Sequence, residues 1–248
     1  MQTIESIAKL LDETFSISVD GFSGWHNDQA ARHLKEHERA ADLYRPAIQQ
    51  DRAEFLLFLE DCKNLIETRR EASSILQIGL GISGGSHFAF EQIFRTVCTV
   101  DSSRANIERF CRRFGRRPEE VVVEPQNTGT PKGSAVICGN SLDPRVHGYI
   151  AAHYGQFDVC FIDGDHTFEG VRRDWQLYAP MVKPGGWVVF HDHVPTPARL
   201  HERAVDVFLT WLRHQQDAPM KFVEIGHSLG ITYYVQRDPA TYPYSTAS

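Results

Sequence analysis

The most constraining feature of this sequence is a series of five short apolar runs, each closed by glycine or aspartate and separated from the next by a helical pattern. The runs are ILQIG (75–79), TVCTVD (96–101), SAVICGN (134–140), FDVCFIDGD (157–165) and GGWVVFHD (185–192). Continuous Val/Ile/Cys/Phe runs of this length suit parallel strands covered on both faces. Between them, His87–Phe94, Ser103–Phe114, Pro144–Tyr154 and Phe168–Met181 carry apolar residues at helical spacing. Strand–helix alternation sustained in this way predicts βαβ units and a doubly wound, mostly parallel α/β sheet. The stretch Gly115–Gly133 holds three prolines and reads as an irregular loop around a short VVV segment.

The ends of the chain read differently. Phe55, Phe58, Leu59, Cys62, Leu65 and Ile66 recur at helical spacing, so residues 1–72 read as an N-terminal helical cap, broken at Ser18–Gly24. In and just after that break, Phe22, Trp25 and His26 are candidates for a lid, with an ordinary packed aromatic core as the alternative. Ala198–His214 predicts a further helix. MKFVEIG (220–226) and LGITYYVQR (229–237) predict two strands whose short link makes them antiparallel. The expected fold is therefore a seven-stranded sheet with a C-terminal antiparallel hairpin. The expected division is a cap at 1–72, a core domain at 73–238 and a flexible tail at 239–248.

Composition limits the partners. The net charge of −6 gives no electrostatic support for a nucleic-acid or anionic-membrane role. The five cysteines are scattered, with no CxxC pair, as expected of free thiols in a reducing compartment. The N-terminus lacks the basic start and apolar run of a signal peptide, and no apolar stretch approaches the roughly 20 residues of a membrane span. A cytoplasmic protein is expected. The basic run from Arg104 to Arg117 reads as a solvated helix face. The aromatic-rich last strand hints at self-association as a homodimer.

The segment Gly79-Leu-Gly81-Ile-Ser-Gly84-Gly85-Ser86 follows the first strand and opens a helix. A tight turn and close ligand approach both require glycine, and the helix N-terminus then offers free N–H groups. Asp101 closes the second strand, 22 residues after Gly79, where a carboxylate can take both hydroxyls of a ribose. A dinucleotide and S-adenosylmethionine both fit this much.

The later runs separate them. Ile162-Asp163-Gly-Asp165-His166-Thr-Phe168-Glu-Gly-Val171-Arg-Arg-Asp174 is followed by Pro184-Gly-Gly186-Trp-Val-Val-Phe-His191-Asp192-His193. This pair of motifs resembles the class I S-adenosylmethionine-dependent methyltransferases, in particular the subgroup with an IDGDH…D and PGG…HD signature, which methylates hydroxyls of sugars and other small metabolites. The resemblance covers about Ile75 to His193. It implies that Gly79, Gly81, Gly85 and Ser86 line the methionine part of the cofactor, and that Asp101 and Ser102 hold the ribose. It further implies Asn140 and Ser141 beside the adenine, and Asp163 between cofactor and acceptor. Many relatives carry an acid where this chain has Gln77, so modest cofactor affinity or a changed partner for the cofactor's amino group is expected.

Asp163, Asp165 and His166 end one strand run, and His191, Asp192 and His193 end the next. Converging carboxylates and imidazoles suit a divalent metal, magnesium or manganese. Asp163, Asp192 and His193 are the expected ligands, with His191 the alternative imidazole. Asp165 or His166 is the expected base, with Asp163 beside the reacting atoms; Asp165 and Thr167 also suit plain helix capping. The expected activity is metal-assisted O-methylation of a small metabolite, a sugar or glycoside preferred. The alternatives are an N-methyltransferase on an amino sugar or other small amine, an NAD-dependent oxidoreductase, and a non-catalytic binding protein on the same fold.

Overall fold

A computed structural model describes residues 2–15, 50–70, 73–82, 84–126, 133–194, 204–215, 222–225 and 229–236. The Ser18–Gly24 break, the Phe22/Trp25/His26 lid and the 239–248 tail lie outside these residues, as does the start of the Ala198–His214 helix.

The chain runs α1 (Ile4–Phe15), α2 (Arg52–Arg69), β1 (Ser74–Ile78), α3 (Gly85–Glu91), β2 (Thr96–Asp101), α4 (Arg104–Arg113), α5 (Pro118–Val121), β3 (Val122–Val123) and β4 (Ala135–Cys138). It continues through α6 (Pro144–Tyr154), β5 (Phe157–Ile162), α7 (Phe168–Tyr178), a 3-10 turn (Ala179–Met181), β6 (Val182–His191), α8 (Val205–Gln215), β7 (Phe222–Ile225) and β8 (Ile231–Val235). One sheet holds all the strands, in the order β3-β4-β2-β1-β5-β6-β8-β7. The first six are parallel; β8 pairs antiparallel with both β6 and β7.

The sheet has eight strands, not the seven expected. The addition is β3, where Val122 and Val123 pair in parallel with Val136 and Ile137 of β4. A two-residue strand has too little period to stand out from a loop, and pairing with β4 alone makes it an edge.

Alternation along the strands divides the core between two faces. Ile75, Val97, Val159, Phe161, Val189 and Tyr233 pack with Ile7 of α1, Phe55, Phe58 and Leu59 of α2, and Phe90 of α3. Leu76, Cys98, Cys160, Val188 and Phe190 pack with Tyr149 and Ile150 of α6, Trp175 of α7 and Phe208 of α8. All six residues of β5 are buried, as a central parallel strand requires. The helical stripe of α2 from Phe55 to Ile66 is buried as its spacing predicts. Asp51 caps that helix by accepting from the Ala53 and Glu54 amides.

At the opposite end from the strand tips, buried Asp158 ties β1 to β5. It accepts the Ser73 and Ser74 amides, at 2.8 and 3.0 Å, and the Lys183 ammonium at 3.0 Å. Burial pushes its carboxyl up, but these bonds outweigh that and hold it below its ordinary value. All five cysteines are free thiols. Among the described residues, no helix is long and apolar enough to cross a membrane.

Candidate active site at the strand tips

β1 leads outward to β2 and β4, and the chain then returns to place β5 on the other side of β1. In an open α/β sheet such a reversal leaves a crevice at the carboxyl ends of the strands. A cavity of about 470 Å³ lies there. Its wall includes Gly79 and Gly81 after β1, Asp101 and Ser102 at β2, Asn140 and Ser141 after β4, and Asp163 and Asp165 after β5.

The glycine turn is held from both sides. Asp101 Oδ2 accepts the Leu80 and Gly81 amides at 2.9 and 3.2 Å, while Oδ1 accepts Ser103 N–H at 2.7 Å. Gly79 sits at φ +93°, and a Cβ there would lie 2.1 Å from the Asp163 carbonyl oxygen. Only glycine fits this crossing of β1 and β5. Gly85 and Ser86 lie behind the turn, buried at the start of α3. They are not part of the cavity wall described above, and the Ser86 hydroxyl accepts from Gln77 Nε2 at 2.7 Å.

Gln77 is fully buried. Its amide also donates to Gly79 O at 2.7 Å and accepts from the Thr99 hydroxyl at 3.2 Å. The polar valences of this side chain serve the turn itself, so it acts as an internal brace for the glycine loop.

Asp163 stands where the cavity meets a cluster of acids and imidazoles. Its Oδ2 accepts Gln50 Nε2 at 2.7 Å; its Oδ1 lies 3.1 Å from His191 Nδ1 and 3.3 Å from His166 Nε2. His166 Nε2 is also 3.4 Å from Asp192 Oδ2, and His191 Nδ1 is 3.5 Å from Asp192 Oδ1. Burial pushes the Asp163 carboxyl up, but His191 and His166 overcome it and hold the group well below the usual carboxylate range. The reciprocal effect raises both imidazoles: burial lowers them, and the Asp163 and Asp192 charges outweigh it.

Asp163, His191 and Asp192 present one oxygen or nitrogen each, all within 4.8 Å of one another. The imidazole in this group is His191, where the leading expectation from the sequence was His193. Asp192 is the reason: at φ +64° it turns the chain sharply as β6 ends. His193 is thereby carried to the β8 side, where its Nδ1 lies 2.9 Å from the Thr232 hydroxyl. Asp165 is exposed and accepts the Thr167 amide at 2.9 Å, while Thr167 caps α7 through Gly170 N–H. His166 is one-third exposed and faces the acids.

Two participants come from α2 and its entry, far away in sequence. Buried Gln50 reaches Asp163, and buried Glu54 accepts Gly230 N–H at 2.9 Å, pinning the turn into β8 beside the cluster. No local pattern marks either residue, because both are defined by contacts across more than 100 positions.

Residues 76–193 match the family model for a methyltransferase domain. The chain has the Rossmann-like α/β fold of the solved methyltransferases. Among curated proteins it is 33% identical over 137 residues to demethylmacrocin O-methyltransferase of Streptomyces fradiae, a match covering 51% of this chain and 29% of that protein. The chain thus spans less than a third of that relative's length. Among solved structures, TomG of Streptomyces achromogenes, an O-methyltransferase involved in tomaymycin synthesis and solved with SAM, superposes with a TM-score of 0.56 at 16% identity. That match covers 96% of this chain and all of TomG. An O-methyltransferase of Bacillus cereus, solved with SAH, gives a TM-score of 0.55 at 16% identity over 95% of this chain and all of the other.

Proposed function

We propose that this protein is an S-adenosylmethionine-dependent O-methyltransferase that acts on a hydroxyl of a small metabolite, a sugar or glycoside by preference, with a divalent cation at Asp163, His191 and Asp192. The observation that carries the reading is the position of Asp163, which is at once part of the cavity wall and a member of the acid–imidazole cluster. The relative's name, demethylmacrocin O-methyltransferase, supports O-methylation of a small molecule.

The cofactor supplies a methyl group already activated on a sulfonium, so the protein's work is to position the acceptor and take its proton. Asp101 and Ser102 would meet the ribose, and Asn140 and Ser141 the base. Gly79 and Gly81 would let the rest of the cofactor approach the backbone. With Gln77 committed to the turn, its amide is not the partner of the cofactor's amino group. Two carboxylates and one imidazole are a donor set suited to a divalent ion, and the nitrogen favours manganese over magnesium. Such an ion supplies Lewis-acid charge to an acceptor hydroxyl.

His166 is assigned as the base. It is reachable, its Nε2–H donates toward Asp163 and Asp192, and in the neutral imidazole the free Nδ1 takes the hydroxyl proton. Asp165 is assigned a capping role. We expect His166→Gln to lower kcat by about two orders of magnitude with S-adenosylhomocysteine affinity retained, and Asp165→Asn to change kcat by less than about threefold. The experiment is methyl transfer from labelled cofactor to hydroxylated and amino acceptors, with EDTA and with manganese restored. Loss of transfer in EDTA and its return with manganese are expected. Full transfer to an amine in excess chelator contradicts metal-assisted O-methylation. Thermal stabilisation by NAD and not by S-adenosylhomocysteine contradicts the whole reading.

A further inference from the structure

His87 takes no part in the chemistry above, yet it ends a line of buried polar side chains that begins at the glycine turn. It is fully buried on α3. Gln77 and Thr99 stand in register on β1 and β2, and both are fully buried. The Thr99 hydroxyl lies 3.2 Å from Gln77 Oε1 and 2.7 Å from His87 Nδ1. At the other end of the ring, His87 Nε2 lies 3.6 Å from Glu91 Oε1, with no hydrogen-bond partner among the described residues. Glu91 in turn meets Arg116 at 2.6 Å. Burial pushes the Glu91 carboxyl up, but His87 and Arg116 outweigh it and hold the group below its ordinary value.

The first atom of the line fixes the direction of the rest. The Gly79 carbonyl can only accept, so the Gln77 amide turns its NH2 toward it and its Oε1 toward Thr99. An amide oxygen also only accepts, so the single Thr99 hydroxyl proton goes to Oε1. Thr99 Oγ1 is left as an acceptor toward His87, and the imidazole must carry a proton on Nδ1. The opposite tautomer would set two lone pairs face to face in a fully buried site, which costs the desolvation of both.

We propose that His87 is a positioning residue for the glycine turn: its Nδ1–H, acting through Thr99, locks the Gln77 amide in the orientation that holds the Gly79 carbonyl and the Ser86 hydroxyl. The inference rests on the cofactor reading, in which Gly79 meets the cofactor. The line runs on the β2 side of β1, while Asp163 lies on the β5 side. His87 therefore governs cofactor affinity and not removal of the acceptor's proton.

The test joins nitrogen-15 NMR of the histidine rings with calorimetry of S-adenosylhomocysteine binding. In wild-type protein His87 should show a proton on Nδ1, the signal being assigned by its loss in His87→Asn. His87→Leu should bind S-adenosylhomocysteine about tenfold more weakly, with kcat at saturating cofactor within about twofold of wild type. His87→Asn, whose amide can reach Thr99 as Nδ1 does, should bind within about threefold of wild type. His87→Gln, whose amide falls near the Nε2 position, should behave like the leucine variant. Once Thr99→Val has cut the line, asparagine and leucine at position 87 should bind equally. An unprotonated Nδ1 in wild type overturns the proposal, and that spectrum decides even where a variant does not fold. Equal affinity of His87→Asn and His87→Leu with Thr99 intact also overturns it. Both of these failures leave the cofactor reading standing. Wild-type protein that does not bind S-adenosylhomocysteine overturns that reading and this inference with it.

Discussion

Asp163→Asn is expected to reduce methyl transfer by about 10³-fold or more while leaving the protein folded. The substitution is isosteric but removes the charge on which three neighbours depend. His191 Nδ1 and His166 Nε2 both face Asp163 Oδ1, and Gln50 fixes Oδ2. Without the carboxylate, both imidazoles lose a principal cause of their raised pKa. The base is then misdirected and the proposed cation site keeps two of its three donors. Steady-state kinetics at saturating cofactor, with manganese binding followed by electron paramagnetic resonance, check this. A variant within tenfold of wild type, still binding manganese, contradicts the role given to Asp163.

The second large effect is on the fold of the crevice. Gly79→Ala should lower stability by about 3 kcal/mol, a fall of roughly 10 °C in Tm for a chain of this size, and abolish S-adenosylhomocysteine binding. The added methyl would lie 2.1 Å from the Asp163 carbonyl oxygen, on a backbone at φ +93° that disfavours any side chain. Relief requires β1 and β5 to separate at the point where the turn and Asp163 meet. Thermal unfolding and calorimetry read both consequences; an unchanged Tm with unchanged binding contradicts the close crossing.

The sheet was legible because buried parallel strands announce themselves as unbroken apolar runs, and because a short link forces a hairpin to be antiparallel. What escaped was short or distant. β3 is two residues long and gains strand character only from pairing with β4. The choice between His191 and His193 turned on the positive φ of Asp192, a conformation that the sequence of a non-glycine residue does not advertise. Gln77 stands where an acid was expected from the resemblance, and only the folded chain shows that its amide is absorbed by Gly79, Ser86 and Thr99. Gln50 and Glu54 enter from a segment read simply as cap, since side chains from α2 and the residues leading into it reach strand tips more than 100 residues away.

The shared crevice is most directly tested by nuclear magnetic resonance of S-[methyl-13C]adenosylmethionine bound to the protein, recorded with magnesium and then with manganese. A cofactor lying against the Asp163–His191–Asp192 group must feel the paramagnetic ion: the methyl signal should broaden strongly in manganese and recover on chelation. A sharp methyl signal with both manganese and cofactor bound would mean that the two occupy separate parts of the molecule.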